Sequence, residues 1–107
     1  MAFVEITPRE LQARLSRGEE LQLIDVRERF EWDIGRITGA RLVPLATLPD
    51  ALETLDRALE VVVYCKGGAR SRAAASHIAD SGFRRVANLA GGIARWRAEV
   101  DPTLPAY

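Results

Sequence analysis

An α/β fold, with a mainly parallel central sheet flanked by helices on both faces, is expected from three features of the chain. Short apolar runs alternate with amphipathic segments along all 107 residues, the pattern of strand, crossover helix and parallel strand. One run, Glu-Val-Val-Val-Tyr at residues 60–64, has three consecutive valines and suits a strand buried on both faces in the middle of a parallel sheet. A glycine turn and an alanine-rich helix follow it, the order in which open α/β sheets bind ligands beyond the carboxyl ends of their strands.

Each element has its own local reason. Residues 3–6 read as a short strand. Thr7, Pro8, Arg9 and Glu10 then form a capping box with proline at the first helical position, and Leu11 and Leu15 put an apolar stripe on a helix ending before Gly18. Residues 21–26 (LQLIDV) are a second strand, leading into a charged helical turn over 27–31 and a loop over 35–40. Residues 50–59 (DALETLDRAL) are expected to be one helix with Leu52, Leu55 and Leu59 on a single face. After the valine strand, a helix over 71–80 carries small residues that allow close approach to the sheet, and Gly82 ends it. A strand over 85–89, a helix over 91–99 and an extended tail over 100–107 complete the chain.

Composition narrows the function. A chain of this length is expected to form a single domain, 1–107, burying roughly 60–70% of its unfolded surface. Fifteen basic residues balance fifteen acidic ones, which argues against a nucleic-acid partner and leaves any electrostatic function local. The absence of a signal-like start or a bilayer-length apolar stretch, together with a lone cysteine, favours a reduced cytoplasmic setting with no membrane partner. A monomer is the default expectation.

That cysteine carries the chemistry. Cys65 lies at the end of the valine strand, and Lys66, the only lysine, Gly67, Gly68, Ala69 and Arg70 follow it. A short glycine-rich turn can aim its backbone N–H groups at one point, and the next helix directs its partial positive charge there too. With Lys66, Arg70 and Arg72 nearby, the thiol pKa is expected to fall below its free value of about 8.5, making Cys65 a nucleophilic thiolate. The competing reading is a buried structural cysteine closing a strand, and the cationic loop speaks against it.

The segment "CKGGARS" is similar to the active-site loop of the rhodanese family, the thiosulfate and persulfide sulfurtransferases. "LIDVRE" (23–28), "GRITGA" (35–40) and "NLAGGIARW" (88–96) resemble that family's other signatures in the right order. The resemblance implies that Cys65 carries sulfur and that residues 66–70 bind the donor and the persulfide. It also implies a two-step exchange through a Cys65 persulfide, with no cofactor and no metal. A second thiol nearby could resolve the persulfide to a disulfide, so a solitary one keeps the sulfur transferable. One departure is visible: Arg36 and Thr38 stand where the second motif usually has His and Pro. The tail "VDPTLPAY" resembles rhodanese domains fused to E1-like adenylyltransferases, which implies a cysteine desulfurase as donor and a ubiquitin-like sulfur carrier as acceptor. Thiosulfate and cyanide are the small-molecule counterparts.

Two other classes compete. Phosphatases and arsenate reductases of the same fold also place Cys and Arg in an anion loop, but they have five residues between them, whereas Cys65 and Arg70 have four. Non-catalytic interaction modules of the fold usually lack the cysteine. Arg29 is read either as a substrate-binding arginine, by loose similarity to the family, or as a solvated ion-pair partner. Asp25 and Arg27 are expected to pair with polar backbone and charged neighbours, His77 to be structural or exposed, and Ile93 and Trp96 to pack in the core or against the tail. Trp32 is placed between core and rim.

Overall fold

A computed structural model describes residues 2–107. The strands are β1 (Val4–Ile6), β2 (Leu21–Asp25), β3 (Arg41–Leu42), β4 (Glu60–Tyr64) and β5 (Val86–Leu89). The helices are α1 (Pro8–Ser16), α2 (Arg29–Ile34), α3 (Leu48–Ala51), α4 (Ala69–Asp80) and α5 (Gly92–Glu99). The strands form one sheet in the order β1-β5-β4-β2-β3, and every pairing is parallel, so the sheet is wholly rather than mainly parallel.

The valine strand takes the central place, and all five of its residues are buried. Its side chains alternate between two cores, as strand geometry requires. Val61, Val63 and Cys65 join Leu48 of α3 and Ala74, Ala75 and Ile78 of α4 on one face. Val62 and Tyr64 join Leu11 of α1 and Ile93 and Trp96 of α5 on the other. Each fully buried valine contributes roughly 1.5–3 kcal/mol relative to exposure. The register of β2 on β4 sets Asp25 beside Tyr64, so the buried acid and Cys65 reach the same carboxyl edge of the sheet.

The capping box forms as expected: Thr7 Oγ1 accepts from the Glu10 amide at 3.1 Å, and Glu10 Oε1 accepts from the Thr7 amide at 3.0 Å. The helical turn expected over 27–31 lies at Arg29–Ile34, and three other elements also differ from the sequence expectation. The helix over 50–59 is broken: α3 ends at Ala51, a 3-10 turn covers Leu52–Thr54, and Leu55 is extended with its side chain in the core. The Gln22 side chain holds the Asp56 amide and carbonyl at 2.8 Å each, and Asp56 Oδ1 accepts from the Ala58 amide. A tertiary clamp and a local aspartate turn thus outweigh the leucine spacing. Second, β3 pairs with β2 through only two residues, too few to show a period. Third, α4 begins at Ala69, with Gly68 as its N-cap, so the last two loop residues are already its first turn.

Candidate active site

Cys65 leaves β4 with only 1% of its surface exposed, and the chain folds back over its sulfur at once. The Gly68 amide donates to Sγ at 3.1 Å, which requires a left-handed backbone at Gly68 (φ 116°) that glycine adopts without a Cβ penalty. The Ser71 hydroxyl, on the first turn of α4, reaches the same sulfur at 3.3 Å. Burial pushes the thiol up, yet hydrogen bonds from the Ser71 hydroxyl and from the Ser71, Gly68 and Gly67 amides outweigh it and hold the pKa below its ordinary value. Cys65 is thereby disposed to act as a thiolate nucleophile.

The loop rests on the start of α5. The Ile93 amide donates to the Cys65 carbonyl at 2.9 Å and the Ala94 amide to the Lys66 carbonyl at 3.1 Å. Gly92 has φ 61°, and a Cβ there would overlap both carbonyl oxygens. The second glycine of the Gly91-Gly92 pair is what lets α5 approach the loop from beneath.

The loop cations do not sit on the sulfur. Arg70 makes a two-point contact with Glu31, its Nη1 donating to Oε1 at 2.7 Å and its Nη2 to Oε2 at 3.1 Å. Lys66 places its Nζ 4.6 Å from the centroid of the Tyr107 ring. Arg72, whose side chain is largely exposed, pairs with Glu5 at 3.1 Å. Thiol activation therefore comes chiefly from oriented amides and a hydroxyl. The cations form a rim.

Behind the rim lies a buried ion pair. Arg27 and Asp25 are fully enclosed; Arg27 Nε donates to Asp25 Oδ1 at 3.0 Å and its Nη2 to Oδ2 at 2.6 Å. The guanidinium also donates to the Gly35 carbonyl and to Tyr107 Oη, each at 2.7 Å, so its hydrogen-bonding capacity is spent on fold elements. Arg29 lies on the exposed side of α2, its Nε donating to Asp33 Oδ1 at 3.1 Å along its own helix. His77 is exposed on α4, and Ile93 and Trp96 are buried together. Trp32 is half-buried, with Arg36 stacked 4.6 Å from its ring centroid. Among the described residues no group of acidic, histidine or cysteine side chains could hold a metal ion, and no helix is long and apolar enough to cross a membrane.

The sequence and the fold both have counterparts among known proteins. Residues 7–99 match the model of the rhodanese-like domain. The chain belongs to the rhodanese family. It is 41% identical over 104 residues to a Mycobacterium tuberculosis protein named as a probable adenylyltransferase/sulfurtransferase, MoeZ, covering 95% of this chain and 26% of that one. It is 36% identical to a protein named sulfurtransferase from Allochromatium vinosum, covering 86% of each. The crystal structure of a rhodanese-like domain protein from Staphylococcus aureus superposes with a TM-score of 0.85 at 30% identity, over 98% of this chain and 99% of that one. The chain thus spans about a quarter of the MoeZ relative and most of the Allochromatium one.

Within this rhodanese domain, three site residues had not been singled out by sequence reasoning. Ser71 carried a usable signal: a hydroxyl on the first turn of the helix that follows a cysteine loop. Glu31 has one local partner, the Glu28 amide three residues back, but its contacts with Arg70 and Tyr107 span 39 and 76 positions and left no trace in the sequence.

Proposed function

We propose that this chain is a sulfurtransferase that moves sulfane sulfur through a persulfide on Cys65. The observation that carries the proposal is the enclosed sulfur itself, which accepts the Gly68 amide and the Ser71 hydroxyl and ionises more readily than a free thiol. The Cys65 thiolate attacks the outer sulfur of thiosulfate or of a donor persulfide. A sulfur–sulfur bond forms at Cys65 as the donor's breaks, and sulfite or the donor thiolate leaves with the electron pair. The outer sulfur of the Cys65 persulfide then passes to an acceptor such as cyanide or a thiol, restoring the thiolate. The aligned amides that stabilise the thiolate also suit the persulfide anion.

Likeness to MoeZ, and to the Zea mays protein named adenylyltransferase and sulfurtransferase MOCS3-2 at 31% identity, supports a carrier-protein acyl-adenylate as acceptor; a cysteine desulfurase as donor rests on the resemblance of the tail alone. Arg70 speaks against phosphate chemistry, because its guanidinium is turned to Glu31 rather than into the loop. The deciding experiment is intact mass after incubation with thiosulfate, with and without reductant, in the parent and in Cys65→Ser. The parent is expected to gain one reducible sulfur, to convert cyanide to thiocyanate, and to leave aryl phosphates untouched; the serine variant is expected to fold and to do none of this. Transfer activity retained by the serine variant, or Cys65-dependent phosphate hydrolysis without persulfide, overturns the proposal.

A further inference from the structure

The segment after α5 is tied to the body of the protein along its length. The Asp101 amide donates to the Trp96 carbonyl at 3.0 Å, Arg97 Nε donates to the Leu104 carbonyl, and Leu104 packs on the cluster of Ile93 and Trp96. Pro105 lies so close to Gly35 that a Cβ there would be 3.1 Å from its Cδ. These ties bring Tyr107 to the rim of the Cys65 loop.

There the phenol is held from two sides. Its Oη accepts from Arg27 Nη1 at 2.7 Å and donates to Glu31 Oε2 at 2.9 Å. The direction is settled because a guanidinium can only donate. Both anchors are themselves immobile: Arg27 is enclosed with Asp25, and the Glu31 side chain is 4% exposed. The ring so fixed faces Lys66 Nζ, while Glu31 grips Arg70. Tyr107 therefore meets Lys66 directly, whereas the carboxylate that holds Arg70 is held by the Glu28 amide as well, at 3.0 Å.

We propose that Tyr107 is a positioning residue that holds the Lys66 cation at the mouth of the Cys65 site and so sets its preference for anionic sulfur donors. The claim about donors rests on the sulfurtransferase reading; the claim about cation placement does not. Lys66 is an exposed side chain on a flexible stem, and a free lysine would spread its charge over many rotamers. Stacked on a pinned ring, it becomes a fixed charge. Arg70 stays with Glu31, which the Glu28 amide holds independently of Tyr107.

The test compares alkylation of Cys65 by iodoacetate and by iodoacetamide, followed by intact mass. Both reagents meet the same thiolate, so their rate ratio cancels ionisation and nucleophilicity and reports the field of the rim. In Tyr107→Leu the ratio is expected to fall about threefold or more, the scale of a lost cation–π contact. Lys66→Ala should lower it similarly, and the double variant no further than either alone, since both act through one contact. Tyr107→Phe keeps the ring but loses both Oη anchors, so its ratio should fall between those of the parent and Tyr107→Leu, and matched thermal unfolding midpoints exclude a general loosening. In transfer assays, kcat/KM for the doubly charged thiosulfate should fall more in Tyr107→Leu than that for a donor persulfide, which carries at most one negative charge on its sulfur. An unchanged ratio in Tyr107→Leu, or losses that multiply in the double variant, overturns the proposal. A ratio that falls as expected in a protein that transfers no sulfur would leave the positioning role standing and remove the sulfurtransferase reading instead.

Discussion

Ser71→Ala probes the origin of the thiol's acidity most directly. The Ser71 hydroxyl sits 3.3 Å from Cys65 Sγ and 3.1 Å from the Gly68 carbonyl, and both residues are sealed from water. A hydroxyl has one proton, so ionisation of the thiol draws it to sulfur. A hydrogen bond to a charged group is worth roughly 1.5–3 kcal/mol net, and one pKa unit corresponds to about 1.4 kcal/mol. The competing carbonyl offsets part of that gain, which places the expected rise near the lower end, about one unit. Little else changes, because the Gly68 carbonyl keeps its bond from the Arg72 amide and the Gly68 amide still faces the sulfur. Below the midpoint, reactivity follows the thiolate fraction, so a one-unit rise slows the reaction about tenfold there. The assay is the pH profile of Cys65 alkylation by iodoacetamide, read by intact mass, whose midpoint should move to higher pH. A midpoint that stays where it was, with an intact fold, would refute the idea that this hydroxyl stabilises the thiolate.

Three further outcomes are expected. Asp25→Ala strands the enclosed Arg27 charge and should cost about 3–5 kcal/mol of unfolding free energy in denaturant titration; a loss within assay error would mean that the pair is dispensable. Gly92→Ala forces a Cβ into the Cys65 and Lys66 carbonyls at φ 61° and should lower stability by more than about 1 kcal/mol while impairing Cys65 reactivity. Gly67→Ala, with open space around it, is the control, and equal effects from the two would refute the close-approach argument. Finally, Glu31 is held down to about 2 chiefly by the Arg70 hydrogen bonds, which overcome the upward push of burial. A depressed carboxyl contributes stability above its unfolded pKa and loses it as pH falls through the folded one. With the solvent-facing Arg70 allowed for, the parent should lose about 1–2 kcal/mol more than Glu31→Gln between about pH 5 and about pH 2. Parallel acid titrations of the two proteins would refute this.

Most of the fold was legible because its signals are local. The capping box of Thr7 and Glu10 satisfies helix-end amides three residues away, and the Val61, Val62, Val63 run can be buried only by cover on both faces, so strand, position and Cys65 all followed from adjacent residues. The glycines around the thiol announced a turn for the same reason. The break after Ala51 was hidden because Gln22, from another strand, captures Asp56, and leucine spacing says nothing of such a partner. The two-residue β3 is a strand only because β2 lies beside it.

At the site, the sequence alone singled out Cys65 as the proposed nucleophile, the turn that cradles it and the cationic character of its surroundings, since residue type and neighbour order suffice for those. Only the tertiary structure decided where the charges go. Arg70 and Lys66 follow Cys65 directly, yet the sulfur is met by amides and the Ser71 hydroxyl while the cations are claimed by Glu31 and Tyr107. A long charged side chain settles on whatever carboxylate or ring face the fold brings within reach, and that partner is fixed by chain crossing rather than by chain order.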